Sequence, residues 1–291
     1  METSGASPSD GPSALRMIVL AGETRGKTDG LVRRFAQSHR SLIPIAGQPM
    51  IAHVLRVASD HPHVASLAIC IEREAFGSVW DVLTRLPGRG SIALVPAREE
   101  LADSVRDAAI GWSGPLIVTT ADHAMLSTDA IDAVVDALGR ADVAVALAPR
   151  LNVEAVHSAA PRRFLSFRDG DYAPCDLYGI AGPTALRAVE VFRGGSLDGV
   201  SARIRRATGL IGLLLVRCRL LTVLGATAMA SRHLGLRLSA VVLSDGSQAI
   251  DVNDDRSYAV VRDLLDRRSA SAVELERRAL SRADRRRAVA G

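Results

Sequence analysis

Short apolar runs, separated by polar breaks marked with glycine or proline, set the rhythm of the first 150 residues. Met17–Ala21, Leu67–Ile71, Ile92–Val95, Leu116–Thr120 and Val143–Ala148 are each four to six residues long and predict strands. Between them, Met50–Ala58 places Ile51, Val54, Leu55 and Ala58 on one helical face. Phe76–Leu86 predicts a helix stopped at Pro87-Gly88, and Ala102–Ile110 a further one. Thr128–Leu138 predicts a helix with Ser127 as its N-cap. Strands alternating with helices at this spacing indicate crossover units and a mostly parallel sheet. The strands are near-continuously apolar, as both-sided burial requires.

After Pro149 the rhythm changes. Phe164–Arg168, a turn at Asp169-Gly170 and then Tyr172 predict a hairpin-like excursion. Leu186–Phe192 has helical character, and Val200–Met229 predicts a pair of helices carrying arginines. Leu238–Leu243 and Ala249–Val252 return to strand character, and Tyr258–Leu265 predicts a closing helix. The expected organisation is a leader over 1–14, one domain over 15–268, and an Arg-rich helical tail over 269–291. Within the domain we expect a nucleotide-binding core over 15–150, an acceptor-side insertion over 151–248, and a closing strand and helix over 249–268.

Composition narrows the functional classes. Of the 291 residues 48% are hydrophobic but only 3% aromatic, so the core must be aliphatic and stacking platforms for single-stranded nucleic acid are scarce. The net charge of +4 is uneven: residues from Arg256 onward carry +5 and everything before them −1. The basic balance therefore belongs to the tail, and no nucleic-acid partner is expected. Cys70, Cys175 and Cys218 are too far apart for metal-ligand spacing and suit a reducing compartment. The leader lacks a signal-peptide pattern. Leu210–Met229 is the most apolar stretch, but Arg217 and Arg219 interrupt it, leaving too little to span a bilayer. A cytoplasmic location follows as the expectation.

Four segments hold candidate chemistry. The first strand runs into Leu20-Ala21-Gly22-Glu23-Thr24-Arg25-Gly26-Lys27. Small residues at a strand's C-terminal end let the backbone approach a ligand, and Arg25 and Lys27 add charge for phosphates. An ordinary glycine-containing loop with solvated cations is the alternative. The segment is neither a GxGxxG fingerprint nor a Walker loop. Second, Arg40 leads into Leu42-Ile43-Pro44-Ile45-Ala46-Gly47-Gln48-Pro49-Met50, which also reads as a plain strand-to-helix turn. Third, Asp122 follows the Leu116–Thr120 strand, where carboxylates commonly hold a divalent metal beside substrate phosphates. A helix-entry cap is the alternative, although Ser127 fills that role. Fourth, Asp251 lies in Ile250-Asp251-Val252 ahead of Asp254 and Asp255, which are candidate helix caps.

In order, these make an LAG loop, a cation before L-x-P-x-x-G-x-P-M, an Asp after a middle strand, and a late I-D-V segment before a helix. The series resembles the molybdenum cofactor guanylyltransferase-like and sugar-phosphate nucleotidyltransferase superfamily over Met17–Pro149 and, briefly, over Ala249–Leu265. The resemblance implies a Rossmann-like three-layer α/β sandwich with a mostly parallel mixed sheet, the glycosyltransferase-A-like nucleotidyltransferase fold. It implies that Leu20, Ala21, Gly22 and Glu23 border the nucleotide. It further implies that Arg25, Lys27 and Arg40 hold phosphates, that Asp122 and Asp251 hold Mg²⁺, and that Ser104 lies near the base. The chain departs from the pattern where Glu23 replaces a glycine, where Arg40 replaces a lysine, and where Thr28–Ser38 is inserted.

The implied reaction is Mg²⁺-dependent transfer of NMP from an NTP to a phosphorylated small molecule or lipid phosphate, releasing pyrophosphate. A nucleotide-sugar glycosyltransferase and a non-catalytic nucleotide-binding protein are the alternatives; the first is disfavoured because no D-x-D pair stands at Asp122-His123-Ala124. Residues 150–248 should read the acceptor, with Pro174-Cys175-Asp176-Leu177-Tyr178 as candidate lining and Cys175 a small buried residue. Arg162, Arg163 and Arg168 flank Phe164, Leu165 and Phe167, and Arg203, Arg205 and Arg206 precede Leu210–Val216. That juxtaposition makes residues 160–230 a candidate peripheral membrane or lipid-phosphate contact. The alternative is helices packed on their own domain with arginines reaching outward.

Overall fold

The computed structural model describes residues 14–23, 30–86, 90–157, 159–160, 164–194 and 199–271. In chain order they form β1 (Leu15–Leu20), α1 (Gly30–Arg34), the two-residue strands β2 (Pro44–Ile45) and β3 (Gln48–Pro49), α2 (Met50–Asp60) and β4 (Val64–Ile71). Next come α3 (Phe76–Leu83), β5 (Ser91–Pro96), α4 (Leu101–Ala109), β6 (Leu116–Thr120), α5 (Thr128–Leu138), β7 (Val143–Pro149) and α6 (Arg150–Val156). The second half adds β8 (Leu165–Phe167), β9 (Gly170–Ile180), α7 (Gly199–Arg217), α8 (Val223–Leu234), β10 (Leu238–Val242) and α9 over 255–271. Residues 1–13 of the expected leader, the positions Arg25, Lys27, Arg162 and Arg163, and the expected tail from 272 onward lie outside the described residues.

Among the described residues the main sheet has eight strands, in the order β10-β7-β9-β6-β1-β4-β5 with β8 on β9. β9 is antiparallel to both β6 and β7, and the pairs β1–β4, β1–β6, β4–β5 and β7–β10 are parallel. The architecture is therefore an α/β fold with a mixed, mostly parallel sheet flanked by helices. Period-two alternation explains the layers. Met17 and Val19 of β1 join a core with α2, α3, α5 and α9, whereas Ile18 joins a second core with α4 and the 3₁₀ turns over Pro183–Phe192. A smaller cluster of Leu147, Phe167, Val216 and Val223 seats the α7–α8 pair.

Ser127 caps α5, its hydroxyl accepting the Ala130 N–H at 3.3 Å. Two expectations change. The turn at Asp169-Gly170 forms, but the strand beyond it is no local excursion: β9 runs for 11 residues and enters the sheet between β6 and β7. Residues 151–248 thus supply three strands of the main sheet. The strand expected over Ala249–Val252 does not form either. Gly246–Ala249 is a 3₁₀ turn, and residues 250–253 continue as irregular chain docked on the turn after β6, with the Val252 N–H donating to the Asp122 carbonyl at 3.2 Å. A side-chain anchor at each end holds this chain, which has no sheet neighbour of its own. The buried Gln248 amide donates to the Met125 carbonyl at 2.8 Å, and Asp254 accepts the Ser257 N–H as the cap of α9. Asp255, a second candidate cap, lies inside α9 and pairs with Arg34.

Candidate active site

The C-terminal ends of β1, β4 and β6 converge, and backbone ladders continue just past them. The Ala21 N–H donates to the Cys70 carbonyl at 2.8 Å, and the Ala121 N–H to the Leu20 carbonyl at 2.9 Å. Gly22 follows with no room for a side chain, since a Cβ there would stand 2.7 Å from the Ala97 Cβ and 3.2 Å from Glu72 Oε1. Glu23 then makes two links. Its N–H donates to Glu72 Oε1 at 2.8 Å, and its own Oε1 accepts the Arg40 N–H at 3.0 Å.

Arg40 opens a short 3₁₀ turn, Arg40–Leu42, and points back over the sheet edge. Its guanidinium donates to the Asn253 carbonyl at 3.2 Å and lies 3.9 Å from Asp122 Oδ2. The segment behind it is fixed by α9, whose Tyr258 hydroxyl donates to the Pro44 carbonyl at 2.8 Å. Chain segments 213 residues apart are thereby brought to one place.

Asp122 and Asp251 meet there, joined by Asp176. Asp122 is packed round on most sides yet keeps 20% of its side-chain surface exposed, so a ligand can reach it. Burial pushes its pKa up; the nearby Thr120 hydroxyl opposes this, the Asp176 charge adds to it, and Arg40 again opposes it. Asp251 is pushed well above the usual carboxylate range, first by burial and then by Asp176 and Asp122. Oδ1 of Asp122 and Oδ1 of Asp251 each lack a hydrogen-bond partner. Two crowded carboxylates with unshared oxygens form a donor set that suits a hard divalent cation. Among the described residues, no group of three or more His, Cys, Asp or Glu forms a complete cage.

Asp176 is the residue that sequence reasoning placed only as lining. It reaches the site through a bulge: β9 pairs Tyr178 with Val145 and Pro174 with Leu147, and Asp176 between them adopts φ 40°. A bulge re-aims a side chain that regular pleating would send elsewhere. Its Oδ1 accepts the Tyr178 hydroxyl at 3.0 Å. The signal available beforehand was a carboxylate in the apolar run Ala173–Ile180, well inside the strand.

His123 lies behind Asp122, fully buried, with Nδ1 3.0 Å from the Thr119 hydroxyl. Burial pushes its pKa down to about 4, so it is neutral near neutral pH. Ser104, expected near the base, spends its hydroxyl locally: Oγ accepts the Arg98 N–H at 2.8 Å and so shapes the turn between β5 and α4. Cys175 is fully buried, and burial raises its thiol pKa.

Beside Asp176 opens a cavity of about 110 Å³. Its walls are mainly apolar, from Leu20, Leu101, Val105 and Phe192, with Tyr178 and Arg203 at the polar end. The Tyr178 and Phe192 rings meet edge-on at 4.9 Å, and the Arg203 guanidinium lies 5.4 Å from the Phe192 ring centre.

Sheet order and layers are those of a Rossmann-like α/β fold, consistent with the fold of nucleotidyltransferases. No family model and no curated protein matches the chain. Among solved structures, a hypothetical transferase from Thermus thermophilus is similar at 21% identity and a TM-score of 0.65, over 84% of this chain and 99% of that one. The 4-diphosphocytidyl-2C-methyl-D-erythritol synthase of Anaerococcus prevotii is similar at 10% identity and 0.55, over 88% and 100%. A CMP:2-keto-3-deoxy-manno-octonic acid synthetase complexed with CTP is similar at 13% identity and 0.55, again over 88% and 100%. At these identities the likeness establishes the fold.

Proposed function

We propose that this chain is a Mg²⁺-dependent nucleotidyltransferase that moves NMP from an NTP to a phosphorylated small molecule or lipid phosphate. One observation carries the reading: Asp122 and Asp251, each with an unpartnered oxygen, stand together beside Arg40 at the C-terminal edge of the parallel strands. That edge is where open α/β sheets bind ligands. The synthetase complexed with CTP and the diphosphocytidyl synthase, by their names, make this chemistry the natural one to test on the same fold.

In this reading Asp122 and Asp251 would hold the metal, which would supply charge neutralisation for the triphosphate. Ala21 and Gly22 offer a side-chain-poor backbone against the nucleoside, with Leu20 bordering it. Glu23 fixes the backbone of Arg40, and Arg40, Arg25 and Lys27 neutralise the phosphates. An acceptor phosphate oxygen attacks the α-phosphorus, the bond to the bridging oxygen breaks, and pyrophosphate leaves. The nucleophile is already anionic, so the site needs positioning and charge neutralisation rather than a strong base. The cavity between α4, β9 and α7 suits the less polar part of the acceptor, with Arg203 facing its anion.

The test is pyrophosphate release with Mg²⁺ and each of the four NTPs, against pooled phosphorylated sugars, alcohols and lipid phosphates. Release that requires both one NTP and one acceptor supports the reading and names the base. NTP binding by thermal shift without release against any acceptor points to a non-catalytic nucleotide-binding protein. Absence of both overturns the proposal.

A further inference from the structure

We infer that the α7–α8 hairpin is a docking surface for an anionic lipid bilayer. The two helices lie antiparallel and close. A Cβ on Gly212 of α7 would stand 2.8 Å from Met229 Sδ of α8, and one on Gly209 would stand 3.5 Å from the His233 ring. Gly209, at φ 75°, kinks α7 so that its second half follows α8. With its small residues turned to α8 and Val216 buried, α7 turns Leu210, Ile211 and Leu214 outward. Leu220 and Leu224 flank the hairpin turn.

These five side chains are 58 to 77% exposed, and they make up most of the large exposed hydrophobic residues described. A folded chain rarely leaves such an apolar set in water without a partner for it.

Charge selects the partner. Residues 199–234 contain six arginines and no aspartate or glutamate, a net of +6. The rest of the chain before Arg256 nets −7. Arg205, Arg217, Arg219 and Arg232 are exposed around the leucines. Of the carboxylates nearest the hairpin, Asp171 is shared between Arg150 at 2.7 Å and the hairpin's own Arg219 at 2.6 Å, and Asp169 accepts the Val223 N–H at 3.0 Å, which leaves Arg205, Arg217 and Arg232 to carry the exposed positive charge. A second copy of this surface would set arginine against arginine. A bilayer with anionic headgroups instead satisfies both features, the leucines entering the interface and the arginines meeting phosphates. No helix among the described residues is long and apolar enough to cross a membrane, so the hairpin lies on the surface.

The experiment is co-sedimentation of the full chain with vesicles of phosphatidylcholine alone and of phosphatidylcholine mixed with phosphatidylglycerol. It reads binding without turnover, so its result is independent of the proposed reaction. The chain is expected to sediment with the mixed vesicles and to stay in the supernatant with the neutral ones. Leu210→Gln, Ile211→Gln and Leu214→Gln combined should lower binding about tenfold or more, and so should Arg205→Glu with Arg217→Glu. All five positions are exposed, and an unchanged melting temperature verifies the fold of each variant. Failure to sediment with mixed vesicles overturns the inference. So does a dimer, measured by light scattering, that the glutamine variant disperses while vesicles capture nothing.

Discussion

The Glu23 carboxylate accepts the Arg40 backbone N–H at 3.0 Å, while the Glu23 N–H donates to Glu72. The residue that breaks the glycine pattern of the first loop is therefore a strut between that loop and Arg40, whose guanidinium lies beside Asp122. Glu23→Ala should lower kcat/KM about five- to tenfold, the equivalent of one such hydrogen bond of about 1 kcal/mol. Glu23→Gln, which keeps an acceptor oxygen, should recover most of it. Equal activity of Glu23→Ala and wild type would remove the strut from the mechanism.

Asp122 and Asp251 are held together at a cost to the fold. Asp251→Asn should abolish turnover, by about 10²-fold at least, and still raise the melting temperature. Removing one charge relieves a repulsion of about 1 kcal/mol, which in a domain of this size shifts Tm by roughly 2–4 °C. Asp122→Ala should likewise be folded and inactive. Retained activity in either folded variant would refute its role.

The same pair sets a pH dependence for metal binding. Both carboxyls have raised pKa values in the fold, so they bind protons there more readily than in the unfolded chain. Their contribution to stability is present at low pH and is lost as pH rises from about 4 through the raised values. A divalent cation competes with those protons. Mg²⁺ should therefore raise Tm more at neutral pH than at mildly acid pH, and the difference should vanish in Asp251→Asn. A pH-independent Mg²⁺ effect would argue that the ion binds elsewhere.

His123 acts in the opposite direction. It is buried neutral, its pKa pushed down to about 4. Its stabilising effect is full above about 6.5, the unfolded value, and is lost as pH falls toward 4, by on the order of 3 kcal/mol. Replacing it with Gln should flatten the loss of Tm across that window, whatever the level at neutral pH. An unchanged acid limb would show that another group governs it.

Gly22 is closed in by Ala97 and Glu72. Gly22→Ala forces the loop off Ala97 and should cost about 1–3 kcal/mol of stability. Nucleotide affinity, measured by thermal shift, should fall further than stability alone explains. Unchanged affinity would place the nucleotide away from this backbone.

The layers of this protein were legible in the linear chain because they follow from local periodicity. β1, β4, β5, β6 and β7 are short apolar runs whose alternate residues enter two cores, and Ser127 caps α5 by contacts three residues away. Gly22 and Asp122 stood out because each follows a strand end, Arg40 because it leads into an apolar segment, and Asp251 because it lies in a short strand-like run. Asp176 did not. Its place depends on β9 inserting antiparallel between β6 and β7 and on a bulge that turns one residue, and neither is encoded within the reach of a side-chain pattern. The segment around Asp251 showed the converse error: Ile250 and Val252 alternate like a strand, but their burial comes from docking beside Asp122 and leaves no strand neighbour to pair with. Periodicity reports which residues are buried. Which buried surfaces meet, and hence which three carboxylates share one small volume, is decided by long-range packing between segments more than fifty residues apart.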